Sequence, residues 1–92
     1  MVAVRISDQA DRALLDALIY IYQDNPVAAF DLIADLQKRI VQTLEVFPEA
    51  GARWRGDQRF LTIRHYTFVY RHDAVRGEVL VLDVYGPGMD WR

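Results

Sequence analysis

Residues 51–92 hold seven arginines (Arg53, Arg55, Arg59, Arg64, Arg71, Arg76 and Arg92) against five carboxylates, whereas residues 1–50 hold four basic and eight acidic side chains. Ten of the eleven basic residues are arginine, the side chain whose planar fork suits bidentate contact with a carboxylate or a phosphate. Such a set could meet an acidic protein surface or a nucleic acid backbone. The net charge of −2 argues against the second, because a protein that neutralises many phosphates usually carries a basic excess, so no direct DNA binding is expected. For catalysis the residues that qualify by type are Arg59, Arg71 and His65, since proton transfer near neutral pH favours histidine. His65 and His72 fall at strand ends or turns with no nucleophile pattern beside them, and they read more simply as surface residues. Carboxylates are scattered and no His-rich or Cys-rich spacing exists, so neither a metal nor a cofactor is expected. Two tryptophans stand apart. Trp54 lies in a polar loop between Arg53 and Arg55, and Trp91 is penultimate; each is either folded back on the core or an anchor for a partner.

These residues must be positioned by regular elements, and the periodicity of the chain names them. Ala10, Ala13, Leu14, Ala17, Leu18 and Ile21 recur at the spacing of one helix face, opened by Ser7 as cap with Asp8 in the first turn. Asn25-Pro26 then splits the apolar stretch: asparagine is a favoured N-cap, and proline fits the first helical position, where its missing N–H has no partner. Ala29, Ile33, Leu36, Ile40 and Leu44 continue the stripe into a second helix ending near Phe47-Pro48. After a loop from Pro48 to Asp57 the period shifts toward two in Phe60–Arg64, Thr67–Arg71 and Val79–Tyr85, which read as strands joined by short antiparallel connections. Val2–Ile6 reads as one more strand. The fold predicted is α+β, in the order β-α-α-β-β-β, with the helical hairpin packed on one face of a mainly antiparallel sheet of about four strands.

Ninety-two residues make one domain, 1–92, large enough for a core and small enough to be completed by a partner. Cysteine is absent, which excludes a disulfide scaffold and fits a reducing compartment. No signal-peptide pattern opens the chain and no apolar run nears the roughly 18 residues of a membrane span. A cytoplasmic protein without a membrane partner is expected. Tyr20 and Tyr22, with Leu15 and Ile19, make the first helix apolar beyond its core stripe, a second surface for the chain's own tail, for a partner helix or for another copy of the chain.

The series Ala13–Ile21, Asn25–Ala29, Leu44 through Phe47-Pro48-Glu49-Ala50-Gly51, Arg59-Phe60-Leu61 and Phe68-Val69-Tyr70-Arg71 resembles the ParE/RelE superfamily of bacterial type II toxin–antitoxin toxins. The likeness runs over nearly the whole chain with the same element order. It implies a small toxin held inactive by a cognate antitoxin wrapped around it, as a dimer or a higher assembly of the two. ParE-like members act on DNA gyrase and RelE-like members cleave messenger RNA in the ribosome. RelE-like chains resemble one another in an arginine two residues before the Val-Tyr pair, where this sequence has Thr67, and in a second just after the last strand, where it has Gly86-Pro87-Gly88. Phosphodiester cleavage needs groups to move protons and fixed positive charge for the transition state. The ParE-like branch is therefore favoured, although ParE-like chains often carry arginine where Gly86–Trp91 stands. The ribosome-dependent ribonuclease and a non-toxic antitoxin-binding module remain the alternatives. On strand parity, with the family's functional side chains on the parity of Thr67, the resemblance puts Phe68 and Tyr70 in the core and Thr67, Val69 and Arg71 on the open face. Because protein–protein hot spots favour tryptophan and arginine, target contacts are expected at Arg59, Arg64, Arg71 and Trp91 on that face and tail, and antitoxin contacts at Tyr20, Tyr22, Trp54, Thr67 and Val69.

Overall fold

The two helices form where the capping residues direct. In this computed structural model, which describes residues 1–87, Ser7 caps α1 (Asp8–Tyr22) by accepting from the Ala10 N–H at 3.1 Å. The same hydroxyl donates to the Leu82 carbonyl at 2.9 Å, so the cap also ties the helix to the sheet. Asn25 Oδ1 accepts from the Ala28 N–H at 3.0 Å and Pro26 opens α2 (Pro26–Val46), with Phe47 as C-cap.

The sheet has five strands, β1 (Ala3–Ile6), β2 (Ala52–Arg53), β3 (Gln58–Ile63), β4 (Tyr66–Asp73) and β5 (Glu78–Tyr85), in the spatial order β1-β5-β4-β3-β2. The α+β class and the hairpin-on-sheet arrangement are as the sequence predicts. The fifth strand, β2, is two residues inside the predicted loop; it pairs with Phe60 and Arg59, and two residues carry no periodicity to read. β2–β3, β3–β4 and β4–β5 are antiparallel. β1 runs parallel to β5, which is permitted because the whole helical hairpin and three strands lie between them in sequence.

Both helices cover one face of this sheet. Ala10 and Leu14 from α1, and Ile33, Leu36, Ile40 and Leu44 from α2, meet Tyr66, Phe68 and Tyr70 of β4 and Val79, Val81 and Val84 of β5. Val79 and Val84 differ in parity, yet both are buried in this cluster. The register explains it: Val69 pairs with Asp83 and Tyr70 with Val81, so Leu82 is an extra residue at a bulge that resets which side chains face the helices.

Candidate functional site

The face of the sheet away from the helices is built from the residues opposite the core parity. Arg5, Leu80, Arg71 and Gln58 form one row across β1, β5, β4 and β3. Tyr85, Thr67 and Thr62 form another. Between them stand Asp83, Val69 and Phe60. Trp54 joins this face through its backbone, its N–H donating to the Gln58 carbonyl at 3.0 Å, and the Arg55 guanidinium stacks 4.4 Å from the Trp54 ring centre.

Thr67 and Val69 take the parity expected of them but are not open to a partner: they are 6% and 3% exposed. β4 is the central strand, so side chains from the strands on both sides close over its short ones. Thr67 Oγ1 shares a 3.0 Å hydrogen bond with Thr62 Oγ1. The assignment of Thr67 and Val69 to a free antitoxin surface is therefore corrected. Tyr85 lies beside Thr67, and burial, then a hydrogen bond to Asp83, raises its phenol above the ordinary value.

The arginines do not form one surface. Arg59 pairs with Tyr70 and so faces the helix side, where its Nη1 donates to the Gly51 carbonyl at 2.9 Å. The Gly51 N–H in turn donates to the Tyr70 hydroxyl at 2.8 Å, closing a polar lock between the loop after α2 and strands β3 and β4. Arg64 sits in the β3–β4 turn and reaches α2, its Nη1 3.1 Å from Asp35. Arg39 holds the same carboxylate at 3.0 Å. Burial works to raise Asp35, but the bonds from Arg64 and Arg39 outweigh it and hold the carboxyl below its ordinary 3.8. Only Arg71, of the described target candidates, lies on the open face, 3.9 Å from Asp57. Arg5 and Arg76 stand 4.0 Å from Glu78 and Asp73. The expectation that Arg59, Arg64 and Arg71 share the open face is corrected by parity and by turn geometry. Three of the six described arginines after residue 50, Arg64, Arg71 and Arg76, have an acid within 4.0 Å, though such exposed pairs contribute little and are easily exchanged. Trp91, and the tail from Gly88, lie outside the described residues.

A second concavity lies between α1 and the end of β5. It has a volume of about 580 Å³ and is lined from the helix by Ala13, Asp16, Ala17, Tyr20 and Ile21, and from the sheet by Tyr66 and the run Asp83 to Pro87. Tyr20 is 76% exposed at its rim. Tyr22, two residues on and so on a nearly opposite flank, packs edge-on against Phe30 of α2 with ring centres 6.0 Å apart. Leu15 and Ile19, also exposed, lie on that flank. The single widened face expected of α1 is thus two surfaces, and Tyr20 and Tyr22 belong to different ones. The groove residues Asp83, Val84 and Tyr85 were legible only as a strand, because nothing local signals that a strand end meets a helix.

His65 is exposed in the β3–β4 turn and His72 is half-buried near the end of β4. Among the described residues no three His, Asp or Glu side chains converge as metal ligands, and no helix is long and apolar enough to cross a membrane.

The family described as the ParE toxin of the type II toxin–antitoxin system parDE matches residues 4–91. Among solved structures the fold is similar to that of the chromosomal ParDE system from P. aeruginosa, with a TM-score of 0.80 at 17% identity over 95% of this chain and 97% of that one. It is similar to the toxin–antitoxin complex RelBE2 from Mycobacterium tuberculosis, TM-score 0.71 at 20% identity, covering 96% and 93% of the two chains. The isolated E. coli RelE toxin gives 0.60 at 18% identity over 99% and 89%. At these identities the likeness is one of fold. No curated protein matches the sequence.

Proposed function

Since the chain belongs to the ParE toxin family of type II toxin–antitoxin systems, we propose that its target is DNA gyrase and that a cognate antitoxin neutralises it. The observation that carries the choice of target is the state of Thr67. At the β4 position where a ribonuclease of this fold would need a cationic side chain, the residue is a buried hydroxyl bonded to Thr62. The neighbouring arginines have other partners: Arg59 holds the Gly51 carbonyl from the far side of the sheet, and Arg64 is drawn to α2. Phosphodiester cleavage relies on fixed positive charge beside the groups that move protons, and Thr67 supplies none at that position. A protein surface makes no such demand. Tryptophan and arginine anchors suffice there, and Arg71, Trp54 with its stacked Arg55, and Trp91 in the tail are the anchors proposed.

Two of the solved structures with this fold are a ParDE system and the RelBE2 toxin–antitoxin complex, which supports an antitoxin as the second partner here. Induced expression tests both halves of the reading. It should give filamentous cells and a DNA-damage response, relieved by coexpression of the antitoxin, while primer extension on translated messages finds no induced cuts. Codon-specific cuts would transfer the assignment to a ribosome-dependent ribonuclease.

A further inference from the structure

The groove between α1 and β5 opens at the edge of the sheet, where Asp83 and Tyr85 border both it and the open face, and its chemistry is selective. Its floor is apolar: Val84 and Tyr66 are buried there, and the small side chains Ala13 and Ala17, one helical turn apart, leave the space that a larger residue would fill. Among the described residues its charged lining is acidic, Asp16 on the helix rim and Asp83 on the strand rim, with no lysine or arginine. Asp83 is fixed in place by the Gln9 amide, which donates at 2.7 Å, and by the Val84 N–H at 2.8 Å. Three tyrosines, Tyr20, Tyr66 and Tyr85, contribute rings to the same space. Burial raises the Tyr66 and Tyr85 phenols above their ordinary value, so both rings stay neutral at physiological pH. Aromatic rings beside carboxylates over an apolar floor favour a ligand that is aliphatic along its length and cationic at one point.

We propose that this groove seats a basic amphipathic segment of the antitoxin, its aliphatic side chains against Ala13, Ala17 and Val84 and one lysine or arginine between Asp16, Asp83 and the tyrosine rings. The proposal rests on the reading of the chain as an antitoxin-bound toxin. An acidic segment would be repelled by both carboxylates. A second copy of this chain is disfavoured for the same reason, because its helical half carries eight acidic side chains against four basic ones.

The test is a titration of the co-encoded antitoxin into the purified chain and into three exposed-site variants. Asp16→Arg and Tyr20→Ala alter the groove rim; Leu15→Ser alters the flank of the same helix that faces Phe30 and serves as the control. Circular dichroism establishes that each variant is folded. Asp16→Arg should raise the dissociation constant at least tenfold and Tyr20→Ala several-fold, with Leu15→Ser within about twofold of the parent. A lysine-to-glutamate or arginine-to-glutamate change in the antitoxin should restore binding to Asp16→Arg. Unchanged affinity in both rim variants would overturn the groove as the seat while leaving the toxin–antitoxin reading intact. Loss of binding in Leu15→Ser alone would move the seat to the hairpin flank and equally overturn it. If the unaltered chain does not bind the antitoxin, the underlying reading fails, and the proposal with it.

Discussion

A methyl group on Gly51 would lie 2.5 Å from the Phe60 carbonyl oxygen and 2.8 Å from the Tyr70 ring. Neither neighbour can retreat cheaply, one being backbone and the other a fully buried ring. Gly51→Ala should therefore cost about 2–4 kcal/mol in urea denaturation, in the range of overpacking a core and losing a buried hydrogen bond together. The tyrosines add a pH signature. Tyr66, Tyr70 and Tyr85 are all raised above 10.0, chiefly by burial. An acid that holds its proton better folded than unfolded contributes stability that is complete below its unfolded value and is lost as pH rises through the folded one. Thermal stability should thus fall above about pH 10, and Tyr66→Phe should flatten that fall while changing little at pH 7. At this scale the sequence was a partial guide. Phe68 and Tyr70 were legible as core from their alternation, but the roles of Arg59 and Arg64 were not. Arginine in a strand reads as a solvent-facing charge, whereas here one bonds a loop carbonyl and the other a carboxylate 29 positions away.

Among the elements, the helical hairpin is the part most legible in the chain, because caps and stripes are local signals. Ser7 and Asn25 cap as their types dictate, and every core position expected in α2 is buried. Replacing Asn25 with alanine should cost about 1 kcal/mol, the usual worth of an N-cap. Ser7→Ala should cost more, since the same hydroxyl also satisfies the Leu82 carbonyl. The strands were found but not their edges. β2 is too short to show a period, and the bulge at Leu82 breaks the alternation that would have sorted β5 into two faces. In the β3–β4 turn both Arg64 and His65 adopt positive φ, 50° and 70°, where asparagine and glycine are the usual residues. His65→Gly should consequently stabilise the fold by up to about 1 kcal/mol, read as a rise in the thermal midpoint.

For the molecule as a whole, the residue series and the order of elements carry the likeness to the family, whereas the charge asymmetry along the chain misleads about the surface. Counting charge along the chain makes residues 51–92 basic; in space Arg64 of that half meets Asp35 of the other, while Arg71 and Arg76 pair with Asp57 and Asp73 of their own half. Compensation between distant segments has no sequence signature. What survives is a small α+β member of the ParE toxin family with a buried hydroxyl, Thr67, at the centre of its open sheet face and an apolar groove rimmed by Asp16 and Asp83. Two surfaces with different chemistry suit two protein partners, a target on the sheet side and an inhibitor on the helix side. The most direct test of that account is DNA supercoiling by purified gyrase in the presence of the purified chain. Inhibition should appear with the chain alone, be abolished by an equimolar cognate antitoxin, and weaken when Arg71 is replaced by alanine. Unimpaired supercoiling at saturating concentrations of a folded chain would contradict it.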